Sequence, residues 1–464
     1  MERLSFFGMN AILVLYLTAS TLAVGLPGPG MGYGTAAAAA VVGSYGALVF
    51  LTPLLGGWLA DRLLGSSLAV LLGGCVITLG HGLMALPQAF TFWIGLLAIA
   101  LGTGLLKPNV TALVGASQGA NQARRDAAFS LFYMCTNLGA FLAPLLVGSL
   151  AQARGWHWGF AAAGVAMALA LALFVRGSQS SDLWLPQPIQ PLQPAELGSL
   201  FRRSVPMLAA VGVLVGVHGL LRGFSPRGLA LDLFLLVLVV AVVQLHQLWS
   251  TPAFTPTQRR GVRGFVLVFV ATVVFFMTYI QAGSVLITFA QQHANRHLGG
   301  WQLPTPWLLA VNPLGVIVFA PLFAQLWLRL GRRSPNAAVK FVQAFVLLAL
   351  SLLLMVFPGF QADAGRQPTI AWVLLLLVLQ TWAELLVMPV AMSTSSFLAP
   401  VGMEGRILAL WYLSLSLGSA LGGQLFALLG GRGLGPFFLS LTVVVSAITL
   451  VGFKLLPRFK PLLI

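Results

Sequence analysis

Long apolar runs and short polar breaks alternate along almost the whole chain. Runs of about 20 residues, the length that crosses a bilayer, fall at 5–26, 35–59, 68–86, 91–115, 127–150 and 157–176. A polar stretch at 177–203, carrying Pro186, Pro188, Pro191 and Pro194, reads as a linker. Two more runs, 204–221 and 229–249, precede a loop with Thr251-Pro252 and Thr255-Pro256. Six further runs occupy 264–290, 304–329, 337–357, 370–397, 406–430 and 435–456. The pattern predicts an all-α integral membrane protein with fourteen transmembrane helices. Its divisions are an N-terminal six-helix bundle at 1–176, a Pro-rich linker at 177–203, an inserted helix pair at 204–249 and a C-terminal six-helix bundle at 250–464.

Composition agrees with this reading. Hydrophobic residues make up 59% of the chain and charged residues 7%, against about 25% charge in a soluble domain. The formal net charge of +16 does not mark a nucleic-acid partner, because the cations cluster in the short breaks between apolar runs, as the positive-inside rule requires. Of the 25 Lys and Arg, 18 fall in segments on the side of the termini and six on the other. Both termini are therefore expected in the cytoplasm, in a multi-pass protein of the cell (inner) membrane. The remaining cation, Lys107, lies within a predicted helix.

A weak internal echo accompanies the six-plus-two-plus-six layout. Gly56-Gly57-Trp58-Leu59-Ala60-Asp61-Arg62-Leu63-Leu64-Gly65 closes the second run, and Leu326-Trp327-Leu328-Arg329-Leu330-Gly331-Arg332-Arg333 closes the second run of the C-terminal half. Duplicated bundles of this kind support alternating access around a central site.

Charge within the spans is the main chemical signal, since an ionised side chain at mid-membrane costs about 3 kcal/mol on insertion scales. Among nine acidic residues, only Glu2 and Glu384 lie in or beside hydrocarbon. With Arg3 and Lys107 they form a balanced set of two acids and two bases, which argues for one shared cavity. Other chemistry finds little support. No G-x-x-x-x-G-K-[ST] occurs, so nucleotide-driven transport within the chain is not expected. The six histidines lack ligand spacing, and His81 in Gly80-His81-Gly82 reads as a packing residue more than a proton relay. Cys75 and Cys135 read as packing residues in apolar runs, with no disulfide or metal framework. His218 and Asp232 have no evident partners, so transport chemistry is not expected in the inserted pair. Pairs such as Gly56-Gly57 and Gly422-Gly423, with Gly418, permit close helix contact. No cleavable leader is expected, because the first run itself carries the charged motif.

Taken in order, several stretches resemble the proton-dependent oligopeptide transporters of the major facilitator superfamily, in their fourteen-helix bacterial form. They are Glu2–Asn10, Gly43–Gly65, Gly102–Gly115 with Leu106-Lys107-Pro108-Asn109, and Arg124–Gly148 with Asn137-Leu138-Gly139. The series continues through Gln281-Ala282-Gly283-Ser284, Val311-Asn312-Pro313-Leu314, Ala383-Glu384 through Pro389, and Leu410-Trp411-Tyr412. The resemblance implies that Glu2 and Arg3 are the second and third members of a first-helix charge motif whose first glutamate would precede Met1. It implies that Lys107 pairs with Glu384, that Glu384 with Asn137 and Asn312 receives a peptide's amino terminus, and that Lys107 receives its carboxylate. Trp411 resembles a wall residue of the side-chain pocket. Proton coupling falls to Glu2, Arg3, Lys107 and Glu384, with the proton as coupling ion and no other cofactor.

The chain also departs from the family pattern. The family's carboxylate-binding arginine falls on Asn10 and its seventh-helix glutamate on Ile280, while two tyrosines become Phe7 and Phe50. Loss of both members of an ion pair can be neutral, whereas loss of one costs about 3–5 kcal/mol. The expected activity is proton-coupled import of short peptides or related amines, with no enzymatic step, no nucleic acid and no obligate protein partner. One alternative is a non-transporting ligand-binding sensor or scaffold, which substrate-induced acidification of vesicles would exclude. The other is an exporter of amino acids or drugs on the same fold, for which deletion would raise sensitivity to a toxic amine.

Overall fold

The computed structural model describes residues 1–116, 122–179, 225–251, 254–400 and 403–459, with isolated positions between 180 and 224. The expected helix at 204–221 lies largely outside the described residues. Twelve described helical stretches are long and apolar enough to cross a membrane. The first helix, α1 (Glu2–Thr18), adds a shorter one of 17 residues.

α1 stops well before the predicted end at 26. Gly25, Pro27, Gly28, Pro29 and Gly30 cannot sustain a helix. The loop instead folds back on the helix end, where Met31 donates its N–H to the Tyr16 carbonyl at 3.0 Å and Gly32 donates to Ala19 at 2.8 Å. There follow α2 (Thr35–Leu59), α3 (Ser66–Met84), α4 (Ala89–Ala116), α5 (Gln122–Arg154) and α6 (Trp156–Gln179). Beyond the linker lie α7 (Pro226–Trp249) and α8 (Pro256–Tyr279), the latter started by a capping box in which Thr255 and Gln258 exchange bonds. The predicted run at 264–290 is broken after α8 by a 3-10 turn, Ile280–Gly283, before α9 (Val285–Gln292) resumes. The remaining helices are α10 (Val311–Leu330), α11 (Ala337–Asp363), α12 (Ala371–Leu398), α13 (Glu404–Leu429) and α14 (Leu434–Phe459).

The chain divides into two compact units, residues 1–32 with 44–236 and residues 33–43 with 237–464. In the first, α1 packs on α5 and α6, and α3 packs on α4 and α6. In the second, α8 packs on α13, and α11 packs on α12 and α14. Three of the four pairings recur: α1–α5 corresponds to α8–α13, α3–α6 to α11–α14, and α3–α4 to α11–α12, while the α1–α6 contact has only a slight counterpart between α8 and α14. The echo in sequence is thus an echo in packing.

Side chains that lipid would separate are replaced by hydrogen at the tightest contacts. Gly73 faces Gly102 and Gly80 faces Gly95 across α3 and α4, each pair close enough that a Cβ on either glycine would meet the other's carbonyl oxygen. In the second unit Gly418 sits against the Val273 carbonyl, and Gly422 against Met277 and Ile280. Small residues let helix backbones approach where no hydrophobic force between helices exists.

Outside the spans three features anchor the ends. Asp363 caps α14, accepting the Leu434 and Gly435 N–H groups, both at 2.8 Å. A β-hairpin at His297–Gln302, absent from the sequence expectation, turns on Gly299 and Gly300, whose φ values of 57° and 86° suit a two-residue turn. Glu196 of the linker pairs with Arg62, and Leu192 donates to the Arg62 carbonyl at 3.0 Å.

Two expectations are corrected. His218 and Asp232 are partners, with Nδ1 2.8 Å from the carboxylate, a contact that their separation of 14 positions concealed. Cys75 and Cys135 are both free and exposed, since each falls on a face its bundle leaves open rather than on a packed one. Replacing Gly102 with Val should force α3 and α4 apart, because the new Cβ meets the Gly73 oxygen at 2.6 Å and Ile77 Cγ1 at 2.8 Å. Overpacking of this kind costs about 1–3 kcal/mol, expected as a lowered Tm of the purified protein in detergent.

Candidate functional site

The functional side chains form two clusters, one in each unit. In the first unit Glu2 occupies the opening turn of α1, where a carboxylate complements the helix dipole. Its Oε2 lies 3.4 Å from Arg3 Nε. Lys107 stands on α4 immediately before Pro108. These three groups line one cavity of about 180 Å³ with Phe132, Cys135 and Thr136.

Aromatic faces hold Lys107 in that cavity. Its Nζ lies 4.2 Å from the centroid of Phe6 and 5.9 Å from that of Phe50. Each such contact contributes about 0.5–2 kcal/mol depending on desolvation. Phe50 therefore keeps the ring face that a tyrosine would present and loses only the hydroxyl. Phe6 is braced by an edge contact from Phe7 at 5.2 Å and by stacking on Tyr45 at 6.2 Å. Asn10 and Asn137 turn their amides onto their own helices, bonding the carbonyls of Phe6 at 2.9 Å and Tyr133 at 3.0 Å. Behind this cluster His81 is fully buried, its Nε2 2.7 Å from Ser5 Oγ, while its Nδ1 has no partner among the described residues.

The second cluster is built around Glu384 on α12. Asn312, near the start of α10, donates through Nδ2 to Glu384 Oε2 at 2.6 Å and to Thr381 Oγ1 at 3.2 Å. The Tyr279 hydroxyl, at the last residue of α8, donates to the same Oε2 at 3.0 Å. Both donors converge on one carboxylate oxygen, which leaves Oε1 as the atom without a described bond. A hydrogen bond to a charged group contributes about 1.5–3 kcal/mol, so two donors offset much of the cost of a carboxylate within a span.

Ile280 follows Tyr279 and opens the 3-10 turn. Gln281 then crosses to α13, its Nε2 donating to the Gly422 carbonyl at 2.8 Å as well as to Met277 at 3.1 Å. That bond fixes the end of α8 and with it the position of Tyr279. Trp411 on α13 is buried at 3% exposure, and its indole N–H meets no acceptor among the described residues.

The structure thus joins Glu2, Arg3 and Lys107 in one cavity and Asn312 and Glu384 in one hydrogen-bonded group. Asn10, Phe7 and Ile280 carry no charge into either. Sequence reasoning missed Phe6, Thr381 and Tyr279. Phe6 and Thr381 stand three positions from Arg3 and Glu384, a helical spacing that puts each on the same face and could have found them. Tyr279 lies 105 positions from Glu384, and no local signal reveals it. Among the described residues no group of three or more His, Cys, Asp or Glu is placed to hold a metal ion.

The sequence profile of the POT family matches residues 66–431. A di-/tripeptide transporter of Lactococcus lactis subsp. lactis is 33% identical over the whole of this chain and 93% of its own length. A crystal structure of a peptide transporter POT in complex with sulfate superimposes with a TM-score of 0.92 at 32% identity, covering 99% of this chain and 93% of that one. A POT family transporter in complex with 5-aminolevulinic acid gives a TM-score of 0.91 at 28% identity, with 99% and 94% covered.

Because Cys135 is exposed and lines the charged cavity, a hydrophilic thiol reagent should reach it. In a Cys75→Ser background, a charged methanethiosulfonate is expected to modify one thiol per chain, read by intact-mass spectrometry. An unmodified protein would place Cys135 away from water.

Proposed function

This chain belongs to the POT family, a family of transporters and not of enzymes, and from that premise we propose that it imports short peptides by proton-coupled alternating access. It is a multi-pass integral membrane protein with twelve described stretches able to span. The observation that carries the reading is the Glu384 group: a carboxylate inside a span, held by Asn312 and Tyr279 through one oxygen, with no described bond to the other. Lys107, seated on aromatic faces beside Glu2 and Arg3, is the matching cation.

A di- or tripeptide carries an amino terminus and a carboxylate, the two charges these clusters complement. In this reading Glu384 and Asn312 receive the amine, with Asn137 in support, and Lys107 receives the carboxylate. Trp411, whose buried N–H meets no acceptor among the described residues, is assigned in this reading to the wall of the side-chain pocket. A buried donor without an acceptor costs about 1–3 kcal/mol, which a peptide oxygen or a water can offset. Protons reach Glu384 and Glu2 from the side of higher proton activity. Protonation of the two glutamates releases the basic residues Arg3 and Lys107 to hold the substrate's carboxylate, and loss of those protons on the other side re-pairs the charges and frees the substrate. The acid bound by the 5-aminolevulinic acid relative is also an amine and a carboxylate on a short chain, so related amines fall within the proposed substrate class.

The absent cation at Asn10 bears on selectivity. One charge-assisted contact contributes about 1.5–3 kcal/mol, or roughly tenfold to a hundredfold in affinity. With Lys107 as the remaining clamp, the carboxylate requirement is relaxed. In proteoliposomes a dipeptide and its C-terminal amide should be taken up within about tenfold of each other, and strong rejection of the amide would oppose this selectivity. Glu384→Gln keeps the hydrogen-bonding shape and removes the titrating group. It should abolish gradient-driven accumulation while leaving counterflow exchange measurable, and unchanged accumulation would sink the coupling role of Glu384.

A further inference from the structure

A groove on the membrane face of the second unit separates α8 from the α11–α14 pair. It measures about 210 Å³ and is lined by apolar side chains, among them Leu267, Ala271, Phe341, Phe345 and Val451. On all three spans the lining residues come from the half nearer the end expected in the cytoplasm: the first half of the Pro256–Gln292 stretch that α8 opens, the first turns of α11 and the second half of α14. The groove therefore opens into the leaflet on the side of the termini.

Its α8 wall continues downward as a basic one. Arg259, Arg263, Leu267, Ala271 and Val274 recur at helical spacing and form a single stripe. Arg263 stands one turn, about 6 Å, below Leu267. Arg259 and Arg263 line a second, smaller cavity of about 60 Å³ with Trp249 and Phe254. Trp249 is 56% exposed at the end of α7, a residue type that settles at headgroup depth. On α14, Lys454 lies three positions beyond Val451 and is exposed on the same side.

Arg259 also donates through Nε to the carbonyl of Phe254 at 3.3 Å, which places its guanidinium at that small cavity.

We propose that this groove and the arginine cavity beneath it form one binding site for an anionic glycerophospholipid of the cytoplasmic leaflet, its acyl chain along α8 and its phosphate on Arg259 and Arg263. Positive charge near the inner surface is general in membrane proteins. Here it is distinguished by lying on the same helical stripe as an apolar groove, so that a single amphipathic molecule meets both. Guanidinium groups suit phosphate because their fork matches two of its oxygens. Basic pockets at this depth select acidic headgroups.

The test is native mass spectrometry of the full-length protein titrated with phosphatidylglycerol, phosphatidylcholine or water-soluble glycerol phosphate. The expected result is one retained phosphatidylglycerol, with at least about tenfold weaker retention of phosphatidylcholine and none of glycerol phosphate. Arg259→Gln with Arg263→Gln should remove that preference, and Ala271→Trp, which fills the groove, should remove the bound lipid. Should these variants fail to fold, thermal unfolding of the unaltered protein gives the same reading: a Tm raised by phosphatidylglycerol alone supports the site. Equal retention of both lipids, tight binding of glycerol phosphate, or an undiminished preference in the double variant would overturn it.

Discussion

A charge placed inside a bilayer-spanning helix must bring its compensation with it, and much of the arrangement in this protein follows from that. Water is not there to solvate the group, and lipid will not. Glu384 is compensated by two donors from helices that are remote in sequence, Asn312 on α10 and Tyr279 on α8. Lys107 is compensated differently, by ring faces that stabilise a cation without neutralising it. The difference suits their proposed tasks. A hydrogen-bonded carboxylate can take up a proton and keep its place, whereas an ammonium held by aromatic faces stays available to an anion.

Compensation at these two points depends on backbone geometry elsewhere. Tyr279 reaches Glu384 because α8 ends where it does, and α8 ends there because a 3-10 turn interrupts the span and Gln281 ties its carbonyls to α13. An interrupted helix within a membrane leaves polar backbone groups that protein must satisfy, and the Gln281 amide contributes to this. Gly418 and Gly422 let α13 come close enough for that bond to form. The site therefore rests on two glycines and a glutamine that never touch it.

Much of the architecture was legible in the sequence because membrane-spanning helices announce themselves by length and hydropathy alone. The start of α4, α7 and α12 fell within three residues of expectation. What escaped has physical reasons. The run at 264–290 read as one span because hydropathy does not register a change from α to 3-10 geometry. The early end of α1 was hidden by Leu22, Val24 and Leu26, which are apolar yet lie in a loop made by glycine and proline. In the site, Glu2, Arg3, Lys107 and Glu384 were found because charge is rare in such a chain. Tyr279 and Phe6 were not, because an aromatic among 31 phenylalanines and six tyrosines carries no distinguishing mark. The partnership of His218 with Asp232 was missed for want of any local spacing.

The paired glycines of α3 and α4 have a mechanical consequence. Gly73 meets Gly102, and seven residues along, two full turns, Gly80 meets Gly95. At both levels backbone touches backbone, with no side chain between to rotate, compress or repack. Two rods joined without a soft layer resist bending far more than two rods sliding on a cushion of leucines. Lys107 sits five residues beyond Gly102, on the stretch of α4 that this splint stiffens. A force applied to the far end of α3 is thus delivered to the cation's mounting with little lost to elastic give.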